Sequence, residues 1–343
     1  MSLIHEADRL SWMDRVKDFE GGAWRPALIQ IADTLLPYLA CLTLLLYGAT
    51  AGLPWWIVML GGIPTGGFLV RTFILFHDCC HGSFLPNRKA NEALGFVLGL
   101  LCFTPFADWR RSHGIHHRTT GLLDDRGMGD VWTLTVEEFR AAPSAKRFIY
   151  RFYRNPVTLF VLGPFFIFLL VNRLPSKGAG KRQLRDLAMH NILLLAIGFT
   201  LCLLFGPGPF FLAQLSALFF GGLAGIWMFY VQHQFDSTYW ARGAQWSFLD
   251  AALVGSSWYS LPPPLQWFTG NIGFHHVHHL SPRIPNYRLE ECLRSIPELG
   301  RKEKIGIIKS LGTISMKLWD EKTGKLVSFR SLRDRASPPM ADG

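Results

Sequence analysis

The sequence predicts an all-α integral membrane protein: four transmembrane helices in two hairpins, with a cytoplasmic helical cap that gathers histidines. Three observations predict it. The apolar fraction is 49% and the charged fraction only 17%, against about 25% charged in soluble domains. Four apolar runs approach the ~20 residues a helix needs to cross a bilayer. Of the 12 histidines, eight fall in three sets with helical spacing.

Residues 1–30 form an N-terminal arm, polar and mixed in charge, with Arg9, Arg15, Lys17 and Arg25. It reads as an amphipathic or loosely ordered cytoplasmic segment and not as a signal peptide. The membrane domain is expected over 31–300 and a basic cytoplasmic tail over 301–343. Residues 31–50 are apolar apart from Asp33, and 55–76 apart from Arg71. The short uncharged link 51–54 predicts a tight hairpin on the far side. Residues 93–106 are apolar but too short to span comfortably, so an interfacial or re-entrant element is expected there.

Residues 156–172 are ambiguous, being near the lower length limit and interrupted by Pro164. Charge decides their placement. The next segment holds Arg173, Lys177, Lys181, Arg182 and Arg185, which marks it as cytoplasmic. A single crossing at 156–172 would separate the early histidines from the late ones, so this segment is placed as shallow or re-entrant. Residues 187–205 and 210–231 then form the second hairpin through Gly-Pro-Gly-Pro. Both termini lie inside, and every Lys and Arg except Arg71 falls on one side; Arg71 is expected to snorkel back. The chain beyond 231 reads as soluble. The triple proline at 262–264 stiffens the approach to Asn271. A turn at 320–324 precedes a short strand at 326–329, and the last eight residues read as disordered.

The net charge is +10. Because the basic residues flank apolar spans, they read as cytoplasmic loops and not as a nucleic-acid surface. The six cysteines (Cys41, Cys79, Cys80, Cys102, Cys202, Cys292) form no spaced framework and read as reduced core residues.

The histidine sets carry the chemistry. His275, His278 and His279 stand at i, i+3 and i+4, so in a helix their rings share a face, while His276 points elsewhere. His113, His116 and His117 repeat that spacing, and His77 and His81 are one turn apart. His233, just past the last span, is a ninth candidate. Imidazole suits iron, copper, zinc and nickel. A closed zinc site needs four ligands, so this many histidines suit a two-metal centre. Asp78, Asp130, Asp236 and Asn271 are candidates to orient the rings from behind. An iron pair beside a bilayer suits O₂ chemistry on an apolar chain. Removing two neighbouring hydrogens gives a double bond and rebound of oxygen gives an alcohol; residue types leave both open. A hydrophobic tunnel is expected past the metals, lined by Phe84, Trp109, Trp132, Trp258 and Trp267.

With these residues in view, the chain resembles the membrane fatty acid desaturases, most closely the bacterial and plastid acyl-lipid omega-6 (delta-12) type. The resemblance covers residues 60–330. Its boxes are His-Asp-Cys-Cys-His followed by Gly-Ser-Phe (77–84), His-Gly-Ile-His-His (113–117) and His-His-Val-His-His-Leu-Ser-Pro-Arg-Ile-Pro-Asn-Tyr-Arg-Leu (275–289). Gly-Asp-Val-Trp-Thr-Leu-Thr-Val-Glu-Glu-Phe (129–139) and Gln-His-Gln-Phe (232–235) also match. Three residues between the histidines of the first box fit acyl-lipid enzymes better than acyl-CoA desaturases. The resemblance implies two non-haem iron ions, O₂ as co-substrate, and two electrons from an external donor, ferredoxin or a cytochrome b5. It implies His77, His81, His113, His116, His117, His233, His275, His278 and His279 as iron ligands. Acyl-CoA relatives add an asparagine four residues before the equivalent of His233; here that residue is Phe229. The implied substrate is a membrane acyl lipid, and the implied location a bacterial inner or plasma membrane with the metal site cytoplasmic. The rival readings are a membrane di-iron hydroxylase or ketolase of fatty acids, alkanes or carotenoids, and a non-enzymatic membrane metal-binding protein.

Overall fold

The computed structural model describes residues 6–334. The last eight residues, expected to be disordered, lie outside the described residues. A short helix, α1 (Glu6–Lys17), precedes the first hairpin of α2 (Trp24–Thr50) and α3 (Trp55–His81). The second hairpin is α9 (Lys181–Phe205) and α10 (Pro207–His233). These four helices are long and apolar enough to cross a membrane. At 25 to 27 residues each, they extend ~40 Å, longer than the ~30 Å hydrocarbon layer. The expected spans are all present, and each helix continues past its apolar run at the same end of the bundle. Between α9 and α10 only Gly206, with φ of 84°, leaves the helical path. The proline that follows occupies the first helical position, where its missing N–H costs nothing.

α3 and α10 form the centre of the bundle: half of the apolar window of α3 is buried, against 11% for α9. Their crossing is built from small residues. A Cβ on Gly66 would lie 2.6 Å from the backbone N of Gly221, and one on Gly62 would lie 2.8 Å from Ser216. With no hydrophobic force between helices in lipid, such close backbone approach is what packing rests on.

The 93–106 run folds as α4 (Arg88–Leu101), followed by a 99° bend into α5 (Phe106–Thr119). Phe103 takes a φ of 53° at the bend, and its carbonyl accepts from Asn172 Nδ2 at 3.1 Å and from Arg173. Backbone freed at a break in an apolar layer needs such partners. After β1 (Leu134–Thr135), α6 (Val136–Ala141) and α7 (Ser144–Tyr153), residues 156–172 also depart from a straight helix. They form a π-helical turn (Val157–Leu162), then α8 (Gly163–Leu169), bent by 61° from α7.

The cap contains α11 (Phe248–Leu253), β2 (Trp258–Tyr259), α12 (Pro263–Phe268), α13 (His275–Leu280) and α14 (Asn286–Ser295). β3 (Lys304–Ile305), α15 (Ile307–Gly312), β4 (Leu318–Asp320), β5 (Lys325–Val327) and α16 (Phe329–Asp334) follow. The triple proline opens α12. β1 pairs parallel with β4, which pairs antiparallel with β5; β2 pairs parallel with β3. These short ladders tie the tail into the cap, and Leu318 and Leu326 are buried. At the other end Trp12 of α1 is buried against a cluster containing Leu289 and Ile296.

Arg71 does not snorkel. It is 2% exposed, its Nε donates to Thr34 Oγ1 at 3.0 Å, and Nη2 lies 3.4 Å from Asp33 Oδ1. Its guanidinium also donates to the Trp267 carbonyl and lies 3.8 Å over that indole. A buried cation needs a partner more than it needs water, and α2 and α12 supply it.

Gly66→Val should force α3 and α10 apart and destabilise the protein by about 1–3 kcal/mol. Unfolding of the detergent-solubilised protein by denaturant checks this; unchanged stability would contradict the tight crossing.

Candidate metal centre

Four helix ends deliver the nine candidate histidines. His77 and His81 lie on the last turns of α3, which stops at Gly82 in the left-handed conformation. His113, His116 and His117 lie on the last turns of α5, and His233 ends α10. His275, His278 and His279 are on α13. The helical spacing expected for each set is thus realised. All but His81 are buried, and His81 is partly so.

The rings fall into two groups. His77, His81, His113, His117 and His278 place one nitrogen each within 4.8 Å of one another, and so do His116, His233 and His279. His275 joins the second group, its Nε2 2.9 Å from His233 Nε2. Within the groups, Nε2 atoms face each other at 3.3 Å (His77–His81), 3.1 Å (His113–His117 and His117–His278) and 3.2 Å (His116–His233). α5 and α13 each serve both groups, whereas α3 serves only the first and α10 only the second. The groups touch where His117 stacks on His279, with ring centroids 4.2 Å apart.

A neutral imidazole has one donor and one acceptor; His77 and His116 spend the donor on a carboxylate, so their Nε2 lone pairs turn inward and need a partner. A cation resolves this. Neighbouring ligands on an octahedral or tetrahedral ion with ~2.1 Å bonds lie ~3.0–3.4 Å apart, close to the spacings seen. Nε2 of His279 is buried without a partner. The residues therefore fit two metal ions bound by imidazole.

Two carboxylates set ring orientation. His77 Nδ1 donates to Asp78 Oδ1 at 3.1 Å, and His116 Nδ1 donates to Asp130 Oδ1 at 2.7 Å. Each bond leaves Nε2 free to face its group. The other two orienting candidates do not act this way. Asp236 is exposed and makes no hydrogen bond to a ring. Asn271, at φ of 59°, binds Gln266 and the Asn286 carbonyl. His276 lies outside both groups: its Nε2 donates to the Leu299 carbonyl at 3.2 Å and it stacks on Trp258. Burial, with Lys302 nearby, pushes His276 down to about 3. Burial first, and neighbouring rings second, hold His113, His117, His275, His278 and His279 well below the ordinary histidine value.

A cavity of about 230 Å³ leads to these rings from the bundle interior. Its walls are α3, α8 and α10, and it ends on His77, His113 and His275. Of the aromatics expected to line it, only Trp109 does, stacked on His113 at 4.2 Å. Phe84 packs on Tyr287, Trp132 on Tyr150, Trp258 on His276, and Trp267 under Arg71. The lining comes instead from Leu69, Val70 and Phe73 of α3 and from the glycines of α10, of which Gly225 faces open space while Gly221 and Gly222 pack against Gly66 and Pro164. Sequence reasoning missed this because a cavity is marked by small side chains, which carry no chemical signature. Phe229 lines the cavity too, its ring centroid 5.3 Å from that of His233.

The family model described as fatty acid desaturase matches residues 18–310. The chain belongs to the fatty acid desaturase family. It is 40% identical to a fatty acid desaturase of Bacillus subtilis over 97% of this chain and 93% of that protein. It is 28% identical to the sn-1 oleoyl-lipid 12-desaturase of Synechocystis over 80% of this chain and 76% of that one. It is 29% identical to a chloroplastic sn-2 acyl-lipid omega-3 desaturase (ferredoxin) of Helianthus annuus over 75% and 59% of the two chains. Desaturases are oxidoreductases, and the clusters here are compatible with an iron site.

The depressed histidines make the metal-free protein acid-sensitive. Their stabilising contribution is complete above the unfolded value of ~6.5 and is lost as pH falls from there toward the folded value, because the unfolded chain binds the protons. Each such ring should cost on the order of 1 kcal/mol per pH unit below ~6.5. Thermal melts of metal-free protein should show a lower midpoint at pH 5.5 than at 7.5; a flat profile would contradict the buried neutral rings.

Proposed function

We propose that the nine histidines hold two iron ions and that the protein introduces a cis double bond into the acyl chain of a membrane lipid. The first ion would be held by His77, His81, His113, His117 and His278, the second by His116, His233, His275 and His279. When bound, the iron pair supplies the O₂-dependent oxidising power that removes two hydrogens from neighbouring unactivated carbons. The balance is one O₂, two electrons and two protons consumed, with one double bond and two waters formed.

One observation carries this reading: the apolar cavity between the membrane helices ends on rings of both groups, His77 and His113 from the first and His275 from the second. A methylene pair at that end sits against both. The chain's residues bind and orient the acyl chain by apolar contact along α3 and α10, and Trp109 and Phe229 wall the reacting end and exclude water. Asp78 and Asp130 hold the protons of His77 Nδ1 and His116 Nδ1, fixing which nitrogen faces inward.

For the position of the bond, delta-12 (omega-6) is the assignment to test. It is supported by the Synechocystis relative, an sn-1 oleoyl-lipid 12-desaturase. The electrons are assigned to a separate ferredoxin, on the net charge of +10, which favours an acidic partner, and on the similarity to the Helianthus omega-3 desaturase (ferredoxin). By the distribution of Lys and Arg, both termini and the metal site face the cytoplasm of a bacterial inner or plasma membrane.

Expression in a host of known fatty acid composition, followed by gas chromatography, should show a new unsaturated acid that is absent with His278→Ala. Unchanged unsaturation with a new hydroxylated lipid would replace this reading by a hydroxylase. Metal analysis should give two iron ions per chain; one zinc per chain, unaffected by His278→Ala, would favour a metal-binding protein.

Gly225 offers a sharper test of the cavity. It lines the space, and a Cβ there meets nothing within 4 Å. Gly225→Leu should fold, with a helix-propensity gain of up to about 1 kcal/mol, and keep its metal while product falls at least about tenfold, about 1.4 kcal/mol of barrier. Full activity in that variant would remove the acyl chain from the cavity.

A further inference from the structure

Residues 281–287, Ser-Pro-Arg-Ile-Pro-Asn-Tyr, follow the last histidine set and contain no metal ligand. Asn286 opens the ten-residue α14 and is fully buried. Its backbone N–H donates to Asp78 Oδ2 at 2.6 Å and its side-chain Nδ2 donates to the same oxygen at 2.9 Å. The other carboxylate oxygen, Oδ1, accepts from His77 Nδ1. Asn286 Oδ1 in turn accepts from Gln30 Nε2 of α2 at 2.9 Å, and its carbonyl accepts from Asn271 Nδ2 at 3.3 Å. The amide orientation is fixed by these bonds: the reversed amide would face oxygen to oxygen at Asp78 and donor to donor at Gln30.

We propose that Asn286 is a positioning residue for the first metal group, acting on His77 through Asp78; the inference rests on the two-metal reading above. An aspartate side chain can offer either oxygen. Two donors at a helix N-terminus, where a carboxylate is favoured, capture Oδ2 and leave Oδ1 alone to meet His77. That holds the proton on Nδ1 and points the Nε2 lone pair into the group. The effect is confined to one group. Asp130, behind His116, has its second oxygen held by the Gly127 N–H at 3.3 Å, with no part played by Asn286.

The test uses the full-length, detergent-solubilised protein, stripped with chelator and titrated with cobalt(II), whose visible absorption reports each occupied site. Wild type should take up two equivalents. Asn286→Ala should weaken one of them by about 10- to 100-fold, the usual cost of losing an outer hydrogen-bond partner, and leave the other unchanged. Asn286→Asp sets a second carboxylate against Asp78 and should abolish that same equivalent; if it fails to fold, the alanine variant still decides. Tyr287→Phe is the control. It removes neighbouring ties of the same segment, to the Ala23 N–H and the Phe84 carbonyl, without touching Asp78, and should leave both equivalents intact. Equal weakening of both equivalents in Asn286→Ala, or of neither, or the same selective loss in Tyr287→Phe, would overturn the proposal. Fewer than two equivalents in wild type would overturn the two-metal reading itself.

Discussion

Inward-facing imidazole nitrogens are the constraint on which this structure turns. They face each other at 2.9–3.3 Å in a largely buried site. Burying polar atoms without partners costs free energy, and protonating the rings would bury positive charges side by side. Metal ions satisfy the lone pairs without adding protons. The rest of the architecture keeps neutral rings in register for them: hydrogen-bonded carboxylates behind two rings, stacking against Trp109 and among the rings themselves, and rigid helix ends beneath.

The long helices do two jobs with one geometry. α3 and α10 exceed the bilayer's apolar thickness, and the excess is where His77, His81 and His233 stand. Because Gly62, Gly66, Ser216 and Gly221 let the two backbones touch, the protruding ends sit close together, and a third and fourth helix can close the site. Those helices are short because the chain must turn sharply to lie across the bundle end. The 99° bend before α5 performs that turn, at the cost of a left-handed Phe103 whose carbonyl is met by Asn172 and Arg173.

Features set by local sequence were legible. The spans follow from hydropathy, and the helical spacing of each histidine set follows from the i, i+3, i+4 repeat. The setting aside of His276 follows from the same repeat. Features set by contacts across the chain were not. Adjacent His116 and His117 enter different groups, as do His278 and His279, and only the fold decides which goes where. Asp78 adjoins His77 in sequence, but Asp130 lies 14 residues from the ring it meets, whereas Asp236, much nearer to His233, faces solvent. Local sequence predicts that Arg71 snorkels, because its partners Asp33 and Trp267 lie on two other helices. The aromatics near the boxes pack the cap, while the cavity lies where α10 has glycines.

The same glycines bear on how a lipid reaches the site. A lipid chain has no reason to leave the bilayer, so a cavity that serves it is best approached sideways. On the desaturase reading, the wall that matters is α8, which places Ile167 and Phe168 against the glycine face of α10. Ile167 lines the cavity and is also 36% exposed. A π-helical turn precedes this wall, a rare departure from the regular helix that occurs frequently at functional sites. Across the cavity, α3 carries two of the candidate metal-site histidines and is held to α10 by close backbone contact. The broken helix and the helix that carries the rings are therefore separate walls of the cavity, so a change in α8 need not move His77 at its end.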